Sequence, residues 1–154
     1  MSKLYVVRHA DAGPRGGNQR PDHERALSER GWRQAEGLRD ELAGAGITRL
    51  LSSPFLRCVQ TLLPLGRRLG LEVEPDERLA EGHGAAGPLS VAAEVRGANA
   101  AICSHGDVIP DLLDDLLAQG TDLKDELRWQ KASTWVLSWD GDRFSTGRYR
   151  PPPA

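Results

Sequence analysis

Three short apolar runs, each stopping abruptly at polar residues able to bind or attack an anion, constrain this chain most. Lys3 to Val7 stops at Arg8-His9, Arg49 to Leu51 at Ser52-Ser53-Pro54, and Ala100 to Cys103 at Ser104-His105-Gly106. Runs of this length, rich in β-branched and apolar residues, read as buried strands. Helical spacing separates them. Ser28 is an N-cap for a helix running to about Ala45, with Trp32, Ala35, Leu38 and Leu42 on its apolar stripe. A second helix opens at Pro54 and buries Leu56, Val59, Leu62, Leu63 and Leu69, with a kink expected at Pro64. A third runs from about Ile109 to Gln119. Strands alternating with helices predict an α/β fold, a three-layer sandwich around a mostly parallel sheet. Ligands bind beyond the carboxyl ends of strands in such sheets, so the three loaded ends should meet.

The remaining segments fill in this plan. Residues 10 to 26 form a long Gly-, Pro-, Asp- and Arg-rich loop, and loops of that length in a compact domain are usually functional. Glu72 to Pro75 reads as a short edge strand, and the Gly- and Ala-rich stretch of residues 80 to 99 as holding at most one short helix near Ser90 to Val95. Thr134 to Trp139, Asp140-Gly141 and Arg143 to Tyr149 make a hairpin. One domain over residues 1 to 150 is expected, with a frayed Pro-rich tail over residues 151 to 154.

The 154 residues carry a formal net charge of -2, so nothing global points to a nucleic-acid polymer or a membrane surface as partner. No leader-like or membrane-spanning stretch is apparent. Cys58 and Cys103 form no Cys-x-x-Cys pair and read as free, reduced thiols, which suggests the cytoplasm. His23 and His83 have no compact metal-ligand spacing with His9 or His105, and read as loop or surface residues; no metal or other cofactor is expected.

Singly, a histidine at a strand end or an arginine one turn into a helix is an ordinary structural or surface residue. Together, His9, His105, Arg8 and Arg57 at one sheet edge would repel one another, with no obvious acidic partner among them. A compact, highly charged anion resolves that repulsion, and phosphate is the natural candidate.

Val7-Arg8-His9-Ala10, Ser52-Ser53-Pro54 with Arg57, and Ser104-His105-Gly106 resemble the histidine phosphatase superfamily, which includes the phosphoglycerate mutases. Leu27-Ser28-Glu29-Arg30-Gly31, Gln34-Ala35 and Gln60-Thr61 are similar to the same family, so the resemblance covers roughly residues 3 to 117. It implies a phosphoglycerate mutase-like fold and a covalent mechanism. His9 would accept the phosphoryl group, and Arg8, Arg57 and His105 would hold its oxygens. Glu81 sits where the family's proton donor usually lies.

Where the family commonly has Arg-His-Gly this chain reads Arg8-His9-Ala10, and Arg15 stands where many members carry a phosphate-contacting Asn. Arg15 is therefore a candidate substrate contact, and Lys131 a weaker one at the pocket mouth. Insertions that build a mutase lid are missing, which favours net hydrolysis. The reading is a metal-independent phosphoric monoester hydrolase similar to short SixA-type phosphohistidine phosphatases, acting on a phosphorylated small molecule or phosphoprotein. Alternatives are a nucleotide or diphosphate hydrolase, resembling similar domains fused to Nudix hydrolases, and a phosphate-binding module without catalysis.

Overall fold

A computed structural model describes residues 2–14 and 20–153. Its strands are β1 (Lys3–Arg8), β2 (Arg49–Ser52), β3 (Val73–Pro75), β4 (Ala100–Ser104), β5 (Asp122–Leu123), β6 (Thr134–Asp140) and β7 (Arg143–Arg150). Its helices are α1 (Glu29–Leu42), α2 (Leu56–Leu69), α3 (Ala86–Glu94) and α4 (Val108–Ala118). All seven strands form one sheet in the order β3-β2-β4-β1-β6-β7-β5. The first four are mutually parallel; β6 runs antiparallel to β1 and β7 to β6, while β5 is parallel to β7.

The strand alternation explains the layers. Leu4 and Val6 of β1, with Ala100 and Ile102 of β4, pack on the face covered by α3 and α4. Tyr5 and Val7, with Ala101 and Cys103, pack on the opposite face against α1 and α2. Both faces of β1 and β4 are therefore buried, which is why these strands read as continuous apolar runs. Among the described residues no helix is long and apolar enough to cross a membrane.

Several boundaries differ from the sequence expectation. The Ser28 side chain caps α1 by accepting from the Gly31 N–H, as expected, but the helix ends at Leu42. Pro54 precedes α2, which starts at Leu56 and, as the placing of Leu69 on this helix implied, continues through Pro64. An interior proline costs about 3 kcal/mol, whereas burying Leu62 and Leu65 contributes roughly 1.5–3 kcal/mol each, so packing wins. α3 starts four residues earlier than expected. Its Gly87 lies so close to Arg78 that a Cβ there would sit 2.0 Å from the Arg78 carbonyl oxygen. That glycine made the segment read as loop, yet it is what lets the helix dock. The short β5 was not anticipated. Pro153 lies against α1, where a Cβ on Gly37 would meet its ring at 2.4 Å.

Candidate active site

Parallel pairing of β1 with β4 aligns Arg8 with Ser104, so the next residues, His9 and His105, emerge side by side. Their ring centroids are 5.5 Å apart and the planes meet at 62°. The His9 backbone N–H donates to the Ser104 carbonyl at 3.1 Å, and that of Ser53 to Cys103 at 2.9 Å, extending the ladder to all three strand ends. α2 and α4 begin a few residues later.

His9 Nδ1 lies 2.8 Å from the Ala10 carbonyl, which can only accept, so Nδ1 carries the proton and Nε2 keeps its lone pair. Burial pushes the His9 pKa down to about 3, helped by the charges of Arg57, His105 and Arg8 and opposed by the Ala10 hydrogen bond. The ring is therefore neutral at ordinary pH. Its loop is tied down from several sides. Ala10 N–H donates to Thr61 Oγ1 at 2.9 Å, Asp11 N–H to Gln34 Oε1 at 2.9 Å, and Leu27 N–H to Gln60 Oε1 at 2.9 Å. The Gln34 and Gln60-Thr61 motifs thus act as braces for the loop that carries His9.

Arg57 is fully buried. Its Nη1 donates to the Asp22 carbonyl at 2.9 Å, and its Nη2 to Asp22 Oδ2 at 3.1 Å and Glu81 Oε1 at 2.7 Å. Glu81 Oε1 also lies 3.3 Å from His105 Nδ1, while His105 Nε2 is 2.8 Å from Ser53 Oγ. The expectation that the cationic cluster lacks an acidic partner is corrected: Asp22 and Glu81 both meet Arg57. Asp22 is held in turn by the buried Arg25, whose Nε donates to Asp22 Oδ1 at 3.2 Å. Neither Asp22 nor Arg25 was singled out from the sequence. Both sit in the loop before α1, where no periodicity or strand end marks a position.

Arg8 donates from Nη1 to the Trp129 carbonyl at 2.8 Å, and its guanidinium lies flat on Gly106. A Cβ there would stand 2.7 Å from Arg8 Cζ. Trp129 packs partly buried against the core while contributing that carbonyl. Burial and the Arg57 charge lower the Arg8 pKa. Among the described residues, the buried Nε–H groups of Arg8 and Arg57 find no hydrogen-bond partner. Two unsatisfied cationic donors beside a neutral imidazole suit an oxyanion. The cavity here measures about 300 Å³ and is lined by Arg8, His9, Glu81, Gly106, Asp107 and Trp129.

The structure thus brings together His9, His105, Glu81, Arg8 and Arg57. Arg15 lies outside the described residues. Lys131 reaches Asp11, with Nζ 3.6 Å from Oδ1. His23 and His83 are exposed and outside the cavity lining. Cys58 and Cys103 are buried and free, and Cys58 Sγ lies 3.5 Å from His105 Nε2.

Residues 4–87 match the family model of the histidine phosphatase superfamily, branch 1. The chain is 35% identical over 155 residues to an 8-oxo-(d)GTP phosphatase of Mycolicibacterium smegmatis, covering 97% of this chain and 48% of that protein. It is 38% identical over 86 residues to phosphoserine phosphatase 1 of Hydrogenobacter thermophilus, covering 53% of this chain and 39% of that protein. The chain therefore spans half or less of the length of these relatives. Among solved structures, the protein histidine phosphatase SixA complexed with tungstate superposes with a TM-score of 0.76 at 21% identity, over 99% of this chain and 96% of that one. A SixA from Agrobacterium tumefaciens described as a phosphohistidine phosphatase gives 0.76 at 23% identity, over 98% of both chains. At such identities these likenesses establish the fold, which is phosphoglycerate mutase-like. With the family model matching more than half its length, the chain belongs to the histidine phosphatase superfamily.

Proposed function

We propose that this chain is a metal-independent phosphatase that hydrolyses a phosphorylated substrate through a phosphohistidine on His9. The observation that carries this reading is the state of His9: Nδ1 is committed to the Ala10 carbonyl, and burial keeps the ring neutral among cationic neighbours. In the first step the Nε2 lone pair attacks phosphorus and the bond from phosphorus to the leaving oxygen breaks. Arg8, Arg57 and His105 hold the nonbridging oxygens as charge builds on them. Glu81 gives a proton to the leaving oxygen. For that, the phosphate must take over Arg57, because Glu81 Oε1 accepts from Nη2 without substrate. In the second step Glu81 takes a proton from water and the hydroxide attacks phosphorus. The P–N bond breaks, its electron pair returns to Nε2, and inorganic phosphate leaves.

Phosphohistidine in a protein is one candidate substrate. The relative matched along nearly the whole chain is named as acting on a nucleotide, which favours a nucleotide or diphosphate hydrolase as the second reading. Free buried thiols suit a reducing compartment, and we assign the protein to the cytoplasm.

His9→Ala should abolish turnover while leaving thermal unfolding cooperative. Brief exposure of the wild-type protein to labelled substrate should give an acid-labile, base-stable phosphoenzyme. A phosphoenzyme that persists in His9→Ala would place the nucleophile elsewhere.

A further inference from the structure

We propose that a cationic groove beside the phosphate pocket, built by Arg30 and Arg33 of α1 with Lys131 and Arg8, binds a second phosphate group on the substrate. This rests on the phosphatase reading above and narrows its substrate class to small molecules carrying two phosphate groups. The group at His9 is transferred; the one in the groove stays on the leaving group.

The groove measures about 870 Å³, within the size range of small-molecule sites and far larger than the 300 Å³ pocket at His9. Arg8 lines both, so its side chain borders the groove on one side and the His9 pocket on the other. Pro152 and Pro153 wall the groove, with Pro153 held against Gly37. The groove thus has one wall from the C-terminal segment and another from α1, and its volume suits a small molecule.

Its charge is unbalanced. Among the described lining residues, Arg8, Arg30, Arg33 and Lys131 face one acidic side chain, Asp11. Asp11 Oδ2 already accepts from Ser28 Oγ at 2.6 Å and from the Gly13 N–H at 3.3 Å, and Oδ1 meets Lys131. Among the described residues, Arg30 and Arg33 find no hydrogen-bond or ion-pair partner. By contrast, Arg39, Arg49 and Arg78 each lie within 3.2 Å of a carboxylate oxygen. Arg30 and Arg33 are also three residues apart on one helix face, where like charges repel. They stand in the first turns of α1, at the positive end of the helix dipole, where cations are unfavourable. A phosphate in the groove would relieve both penalties, and two guanidinium forks match its oxygens better than a lone ammonium would.

The test compares wild type with Arg30→Gln/Arg33→Gln on p-nitrophenyl phosphate, a nucleoside diphosphate and a hexose bisphosphate. The last two separate linked from distant phosphates. The wild type should prefer one doubly phosphorylated substrate over p-nitrophenyl phosphate. The variant should lose about ten- to a hundred-fold in kcat/KM on that substrate, chiefly through KM, and change less than about threefold on p-nitrophenyl phosphate. An equal loss on all three substrates, no loss on the preferred one, or a wild-type preference for the monophosphate would overturn the groove assignment. A wild type without His9-dependent hydrolysis of any substrate would overturn the phosphatase reading instead. The groove is then judged by calorimetric binding of the same two doubly phosphorylated compounds to His9→Ala with and without the arginine changes. Weaker binding on removing the arginines supports it, and unchanged binding refutes it.

Discussion

A buried imidazole among cationic neighbours holds its neutral form strongly, and His9 is 5% exposed beside Arg8, Arg57 and His105. In the unfolded chain a histidine titrates near 6.5; in the folded protein His9 does so at about 3. Between those values the unfolded state binds the extra proton, so stability rises with pH. The contribution is complete above about 6.5 and is lost as pH falls toward 3, at up to roughly 1.4 kcal/mol per pH unit. Denaturant midpoints between pH 7 and 4 should therefore drop more steeply for wild type than for His9→Gln; parallel curves would contradict the burial of a neutral ring. Glu81 allows a separate expectation. Glu81→Gln should cripple hydrolysis of alkyl phosphates, whose alkoxide leaving group needs a proton. It should barely slow the burst phase with p-nitrophenyl phosphate, whose leaving group does not. Equal, negligible losses on every substrate would remove Glu81 from the chemistry.

Two glycines separate an element's docking from the site's chemistry. The N-terminal turn of α1 is held to the loop after β1 by the Ser28 N–H donating to the Asp11 carbonyl at 3.0 Å. A Cβ on Gly31 would lie 1.9 Å from that same oxygen, against backbone that cannot swing away. Gly31→Ala should cost about 1–3 kcal/mol or more, read as a lowered melting temperature. At Gly106 the obstacle is the Arg8 guanidinium, the mobile end of a side chain. Gly106→Ala should leave the melting temperature nearly unchanged yet lower kcat/KM about tenfold or more, because Arg8 must leave its position. A reversed pattern, with Gly106→Ala unstable but fully active, would show that Arg8 is not held there for catalysis. The Leu27 to Gly31 and Ser104 to Gly106 motifs were visible in the sequence. Their division of labour was not, because only the folded neighbours say what each missing Cβ leaves room for.

The whole molecule has a formal net charge of -2, so attraction for an anion depends on where charge is concentrated rather than on its sum. Arg8, Arg57, His105 and the adjacent Arg30, Arg33 and Lys131 gather on the carboxyl-end rim of one sheet. A bound divalent ion would otherwise serve to neutralise phosphate charge. Activity should therefore survive exhaustive chelation unchanged; loss restored by adding a divalent cation would refute the proposal of metal independence.

The sequence by itself determined the α/β alternation, the strand ends that carry His9, Ser53 and His105, and the helix that places Arg57 one turn beyond β2. Each depends on local periodicity or on chemistry at a strand end, which short-range patterns encode. Only the tertiary structure decided that Asp22, held by Arg25, folds back onto Arg57, and that α3 begins at Ala86. It likewise placed Pro153 against Gly37. These are contacts between segments far apart in the chain. Their energies come from burial and charge pairing that no window of neighbouring residues contains.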